Sequence, residues 1–217
     1  EDLAPDRLTQ AKRKVRDILA MREGAETALV AYAGDAHVVS PLTRDARVIE
    51  SFLPALDPFM MPAYGGRADL GVARAVELLE RAGRGPGRIL LITDGIRAHW
   101  HEPLLEHITG SQHSLNILAT GTREGGPIPF EGRGHLREDG ETVIVQTELQ
   151  PLQSLASPAG GQAVRVTTGD RDLETLGLGA DHSLAATREG EDTTLRRADD
   201  GIWLAALIIP LLLLARR

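Results

Sequence analysis

The chain has 217 residues, 42% hydrophobic and 25% charged, which suits one ordinary domain with its own core and excludes wholesale disorder or a coiled coil. Asp and Glu outnumber Lys and Arg by 31 to 24, for a net charge of −7, so no overall positive field exists to hold a nucleic-acid backbone. Cysteine is absent, which excludes disulfides, thiolate zinc sites and a cysteine nucleophile.

From Pro5 to Arg22, apolar residues at Leu8, Ala11, Val15, Ile18 and Leu19 keep a helical rhythm, with Gly24 just past the end. Thr27 to Ala33 and His37 to Ser40 are short apolar runs around Gly34-Asp35, the pattern of a tight strand pair. Thr43 is expected to cap a helix through Ala46, Ile49 and Leu53 that ends near Pro54. After a loop from Asp57 to Gly66, helix resumes over Asp69 to Ala82, and Gly83 to Gly87 turns the chain. Arg88-Ile-Leu-Leu-Ile-Thr-Asp94-Gly95 follows. Its unbroken apolar run reads as a strand buried on both faces of a parallel sheet, and Asp94 stands where such sheets place their chemistry. A helix over Pro103 to Thr109, a strand over Ser114 to Ala119, a hairpin-like insertion up to Val145, a helix over Leu149 to Ala156 and a strand over Ala163 to Val166 complete the series. Strands alternating with helices predict a three-layer, doubly wound α/β domain with a mostly parallel sheet.

The tail differs in kind. Ile202 to Ala215 (IWLAALIIPLLLLA) carries no charge, is apolar on every face of a helix, and is flanked by Arg196, Arg197, Asp199 and Asp200 before and by Arg216-Arg217 after. As a helix it rises about 21 Å against a hydrocarbon core of about 30 Å, a marginal span. The expected division is a domain over 1–176, a polar juxtamembrane linker over 177–201 and a transmembrane hydrophobic helix over 202–215. Arg216-Arg217 favours a cytoplasmic C-terminus, which puts the domain in the periplasm.

Several stretches taken in order resemble a von Willebrand factor A (VWA) domain of the membrane-anchored bacterial Bat aerotolerance (BatB-like) group. They are Leu3-Ala-Pro-Asp-Arg-Leu8, Leu29-Val-Ala-Tyr-Ala-Gly-Asp35, Ser40-Pro-Leu-Thr43, Leu90-Leu-Ile-Thr-Asp-Gly95, the glycine-bearing run from Thr120 to Gly126, and Gly126-Pro-Ile-Pro129. The resemblance covers nearly the whole chain. It implies a strand order 3-2-1-4-5-6 and a metal-ion-dependent adhesion site at the top of the sheet. That site draws on an Asp-x-Ser-x-Ser motif after the first strand, a hydroxyl from a middle loop and an Asp after the fourth strand. Asp94 matches the last of these. The middle position falls in Tyr64-Gly-Gly-Arg-Ala-Asp69, with Gly66 in the hydroxyl's place and Asp69 as the nearby replacement. The first motif has no counterpart in a sequence opening at Glu1-Asp2-Leu3. The expectation is therefore a domain lacking its central first strand, a piece of a longer protein whose front end carries that strand, membrane helices and the metal motif. Asp94 and Asp69 are then an incomplete adhesion-type metal site, with Mg²⁺ a ligand of the full-length parent.

Other chemistries are weaker. His99, His101, His107 and His113 cluster after Asp94, but His99-x-His101 points apart on a helix and no HExxH spacing exists. A metal-dependent hydrolase using Asp94 with His99 and His101 is the enzyme-class rival, and a solvated helix surface is the plain reading. No serine sits in a Gly-x-Ser-x-Gly frame, and no glycine-rich loop has a nucleotide-binding pattern. The resemblance implies a non-enzymatic protein-interaction module of the bacterial inner membrane, assembled with sister VWA proteins and a MoxR-type AAA+ ATPase, in envelope stress or aerotolerance.

Overall fold

A computed structural model describes residues 6–57, 60–127, 137–138, 141–142, 144–178 and 202–206. Helix α1 (Arg7–Met21) begins at Asp6, whose carboxylate accepts the Thr9 backbone N–H and closes the first turn. Strands β1 (Thr27–Tyr32) and β2 (Ala36–Thr43) pair antiparallel. Helix α2 (Ala46–Phe52) runs into a 3₁₀ turn, Leu53–Ala55. Helix α3 (Ala68–Ala82) stops at Gly83, which takes the left-handed conformation at φ 62°. Strand β3 (Gly87–Thr93), helix α4 (His101–Thr109) and strand β4 (Ser114–Ala119) follow. The insertion contains two small antiparallel pairs, β5 (Gly126–Pro127) with β8 (Ile144–Val145) and β6 (Arg137–Glu138) with β7 (Glu141–Thr142). Helix α5 (Leu149–Ala156), strand β9 (Ala163–Arg165) and helix α6 (Arg171–Thr175) complete the body, and β10 (Ile202–Ala206) comes from the tail.

The main sheet has the order β2-β1-β10-β3-β4-β9, with the antiparallel strand β2 at one edge and the other neighbours parallel. Side-chain alternation along the strands divides the interior into two cores. Ala28, Val30, Ile89, Leu91, Leu115 and Ile117 face α3, α4 and α5. Leu29, Ala31, Leu90, Ile92 and Leu118 face α1, α2 and α6. This is the three-layer α/β architecture expected, and the two faces explain why β1 and β3 read as unbroken apolar runs.

Strands β1 and β3 do not pair with each other. Both pair with β10, whose residues 202–206 run from Ile202 opposite Gly87 to Ala206 opposite Leu91, with Ala205 also opposite Leu29. The one-strand gap expected between them is therefore present, and it is filled from the opposite end of the chain. The first five residues of the expected hydrophobic helix thus form a strand. A run that is apolar on every face suits a helix in an apolar medium and equally a central strand buried on both faces. The rest of the expected span, residues 207–215, lies outside the described residues, as does the linker beyond residue 178. Among the described residues no helix is long and apolar enough to cross a membrane.

Candidate functional site

The parallel strands β1, β3 and β4 present their carboxyl ends at one edge of the sheet, the edge at which Asp94 and Asp69 stand. Beyond the end of β1, the Gly34 N–H donates to the Ala63 carbonyl at 2.9 Å and the Arg67 N–H to the Ala33 carbonyl at 2.7 Å. These bonds staple the loop before α3 against the strand. The approach needs glycine: a Cβ at Gly34 would lie 2.5 Å from the Tyr64 carbonyl oxygen. At the end of β3, the Thr93 carbonyl accepts the Thr120 N–H at 2.7 Å, tying β3 to the residue that follows β4.

Asp94 and Asp69 are both buried, at 5% and 1% exposure. Each is engaged by an arginine. Arg7, the first residue of α1, places its Nη1 at 2.9 Å from Asp94 Oδ2. Arg67 grips Asp69 with a fork, Nε at 2.9 Å from Oδ1 and Nη2 at 2.6 Å from Oδ2, and its guanidinium lies 3.7 Å from the centroid of the Trp100 ring. That combines a bidentate charge-assisted pair with a cation–π contact on one side chain.

Tyr32, within electrostatic reach of both carboxylates, is 1% exposed, and its hydroxyl donates to Thr93 Oγ1 at 3.2 Å. Thr93 Oγ1 also accepts the Gly95 N–H at 3.2 Å. Burial pushes the phenol well above its usual range against the opposing pull of the Thr93 hydrogen bond, and the charges of Asp94 and Asp69 push it further. Tyr32 is therefore a hydrogen-bond donor fixed in its neutral form rather than a proton-transfer group.

This arrangement does not fit Mg²⁺. An octahedral oxygen set needs carboxylates and hydroxyls free to turn toward one point, whereas both carboxylates here are held by guanidinium groups. Gly66, at the expected hydroxyl position, brings no side-chain ligand, although a Cβ there would meet nothing within 4 Å, so space is not the obstacle. The histidines do not converge either. His99 is exposed with its ring edge-on to Trp100 at 4.4 Å, and His101 Nε2 donates to the Ile96 carbonyl at 3.0 Å. His107 is exposed on α4, while buried His113 lies at the opposite end of the sheet and accepts the Gly87 N–H on Nδ1 at 2.9 Å. Among the described residues no group of three or more His, Cys, Asp or Glu could hold a metal ion.

Sequence reasoning places Asp94 and Asp69 at this edge and misses Arg7, Arg67, Tyr32 and Trp100. The available signals were Arg7 directly after the cap Asp6, and Arg67 two residues before Asp69 at a helix start, where a guanidinium reaches back onto a first-turn carboxylate.

Residues 1–96 match the von Willebrand factor type A domain family. No curated protein matches the chain. The fold is similar to that of a solved aerotolerance-related membrane protein from Bacteroides fragilis NCTC 9343, a form with multiple mutations to serines. The TM-score is 0.74 and the identity 22%, over 83% of this chain and 91% of that one. It is also similar to the conserved hypothetical protein BatB from Bacteroides thetaiotaomicron, with a TM-score of 0.66 and 24% identity over 86% of this chain and 91% of that one.

Proposed function

We propose, from the chain's place in the von Willebrand factor type A domain family, that it works as a non-enzymatic protein-interaction module of a bacterial aerotolerance-type membrane protein, docking its partners on the edge of the sheet around Asp94 and Asp69. The observation that carries this reading is the pairing of both buried carboxylates with arginines in place of a nucleophile and a base. A partner's carboxylate or guanidinium can exchange into such paired charges, and the exchange supplies specificity. The partners are a sister VWA protein and a MoxR-type AAA+ ATPase, as the resemblance to the Bat group implies. A cation reaching this edge would first have to displace Arg7 and Arg67, so docking here does not run through Mg²⁺ in this chain. The apolar residues that follow β10 in the sequence, 207–215, supply membrane association.

The test is direct binding of the purified chain to the sister VWA protein and to the MoxR-type ATPase from the same genome, followed by calorimetry. Asp94→Ala and Arg67→Ala are expected to weaken one of these complexes by about tenfold or more while the far-ultraviolet spectrum is kept. Absence of binding by the unmodified chain, or affinities that both variants leave unchanged, overturns the reading.

A further inference from the structure

The central position of the sheet is held by the residues that are sequentially farthest from it. Strand β10 enters between β1 and β3, two strands buried along almost their whole length, and pairs in parallel with both. Its backbone register sets position 204 opposite Ile89, in the core under α3, and position 205 opposite Leu90 and Leu29, in the core under α1. The five residues Ile202 to Ala206 carry no charge, and the Trp203 indole is their one polar side-chain group. A strand of this kind is kept by ladder hydrogen bonds to both neighbours, which tolerate many sequences as long as no charge is introduced between two buried strands.

A second observation concerns what else these residues can do. The apolar run continues to Ala215, so with Ile202 to Ala206 in the sheet nine residues remain, about 14 Å of helix against a bilayer core of about 30 Å. The segment cannot complete the sheet and cross a membrane at the same time. Whenever a bilayer takes it, the central position must open.

We propose that the gap between β1 and β3 is a strand-acceptor site and that Ile202–Ala206 is its exchangeable occupant. The site takes an extended, uncharged apolar segment of about five residues, entering parallel to β3 with its first residue opposite Gly87. This goes beyond docking at the carboxyl edge and does not depend on it, because the gap runs through the middle of the sheet.

The experiment uses the full chain and hydrogen exchange at the amides of β1 and β3. Leu204→Asp sets a carboxylate opposite Ile89; Leu211→Asp, in the same apolar run beyond the strand, is the control. The probe is a synthetic peptide carrying Ile-Trp-Leu-Ala-Ala behind two lysines. Leu204→Asp is expected to lower protection at residues 29–31 and 89–91 by about tenfold or more, Leu211→Asp to leave it unchanged, and the peptide to restore it in the Leu204→Asp chain. A Leu204→Asp chain that keeps its protection, or one that the peptide does not restore, overturns the proposal. Should Leu204→Asp unfold the chain as a whole, refolding by the peptide and not by a version with Asp in place of its Leu is the expected result, and failure to refold overturns it equally. None of these readouts involves a partner protein, so their failure is distinct from failure of docking around Asp94.

Discussion

Arg7 reaches Asp94 because α1 is pinned farther along by a buried ion pair, and that pair sets the clearest test of how the site is built. Lys14 and Asp172 have side chains 3% and 0% exposed, with Nζ at 2.7 Å from Oδ1. The ammonium also donates to the Gly169 carbonyl at 2.5 Å, while Asp172 accepts the Thr167 and Leu173 backbone N–H groups at 3.0 Å each. The Lys14 contacts close the loop after β9 onto α1, and the two backbone bonds fold that loop around Asp172. Lys14→Met leaves a buried carboxylate with two backbone donors and no counter-charge, and Asp172→Asn leaves a buried ammonium facing a single carbonyl and an amide. Removing one partner of such a pair costs about 3–5 kcal/mol, whereas replacing both by apolar residues is close to neutral. At about 2–4 °C per kcal/mol for a domain of this size, each single variant is expected to melt about 6–20 °C lower. The double variant Lys14→Met with Asp172→Leu recovers the part of that loss due to the unpaired charge, while the Thr167 and Leu173 N–H groups, left without their acceptor, keep it less stable than the parent. Urea unfolding of these proteins together with the single Asp172→Leu variant, which closes the cycle, gives the coupling energy. Single variants that each lose less than about 1 kcal/mol, the worth of an exposed pair, would refute the reasoning and with it the idea that α1 is held rigidly enough to aim Arg7.

Arg67→Ala removes a bidentate grip on a carboxylate that is 1% exposed, with an expected loss of about 2–3 kcal/mol by urea unfolding. Arg67→Lys recovers only part of it, because an ammonium lacks the planar fork and the stacking surface, and the Trp100 emission shifts in both variants. Gly34→Ala drives a methyl group to 2.5 Å from the Tyr64 carbonyl oxygen. Backbone must move to accept it, so a loss of about 1–3 kcal/mol and faster exchange of the Gly34 and Arg67 amides are expected. The His113 imidazole is held below its usual range by burial, against a weaker opposite pull from Glu80. The unfolded chain therefore takes up a proton more readily than the folded one, and the unfolding free energy falls as the pH drops from the ordinary value of 6.5 toward the folded one. Protonation would also force Nδ1 to give up the Gly87 N–H. His113→Gln, which can offer an amide oxygen to Gly87, is expected to flatten that acid limb in urea midpoints measured between about pH 7.5 and 5.

Much of this architecture was legible in the sequence because burial on two faces leaves a plain mark. Ser114–Ala119 and Leu149–Ala156 have the limits that apolar runs and periodicity indicate. Where the limits move, a local competition explains it. Thr43 was expected to cap a helix, yet it pairs with Thr27 as the last residue of β2, and Asp45 takes the cap by accepting the Arg47 N–H. Pro41 inside β2 is tolerated because that strand lies at the edge of the sheet. Helix α6 was missed: five residues, three of them charged, carry too little periodicity to register. At the site, the carboxylates were legible as strand-end and helix-start residues. Their arginine partners were not, since Arg7 and Asp94 stand 87 positions apart and no one-dimensional pattern links them.

The two arginines also explain why a chain with this fold can carry buried carboxylates without a cation. A buried carboxylate left alone must be neutralised by a proton, a metal or a fixed positive side chain. Proton uptake would make the edge of the sheet pH-sensitive, and a metal would need hydroxyl ligands that Gly66 does not supply. Fixed guanidinium groups meet the same electrostatic demand from within the chain, and they do so from two separate elements, the start of α1 and the start of α3. Because those helices lie against opposite faces of the sheet, the paired charges bridge both layers at the edge where β1 and β3 end. Among the described residues the backbones of β1 and β3 are joined through β10, with the Tyr32–Thr93 hydrogen bond as a side-chain link at their ends, so the spacing of Asp94 from Tyr32 and Asp69 depends on a strand being present in the central gap. Occupancy of the gap and the geometry of the charged edge are therefore one mechanical system. A Leu204→Asp chain should expose Tyr32 as its strand protection is lost, read as a downward shift in the Tyr32 titration toward the ordinary phenol value of 10.0 as burial is relieved, which outweighs the smaller upward effect of losing the Thr93 hydrogen bond. An unchanged Tyr32 titration in a chain whose central strand has demonstrably left would show that α1 and α3 alone hold the edge together.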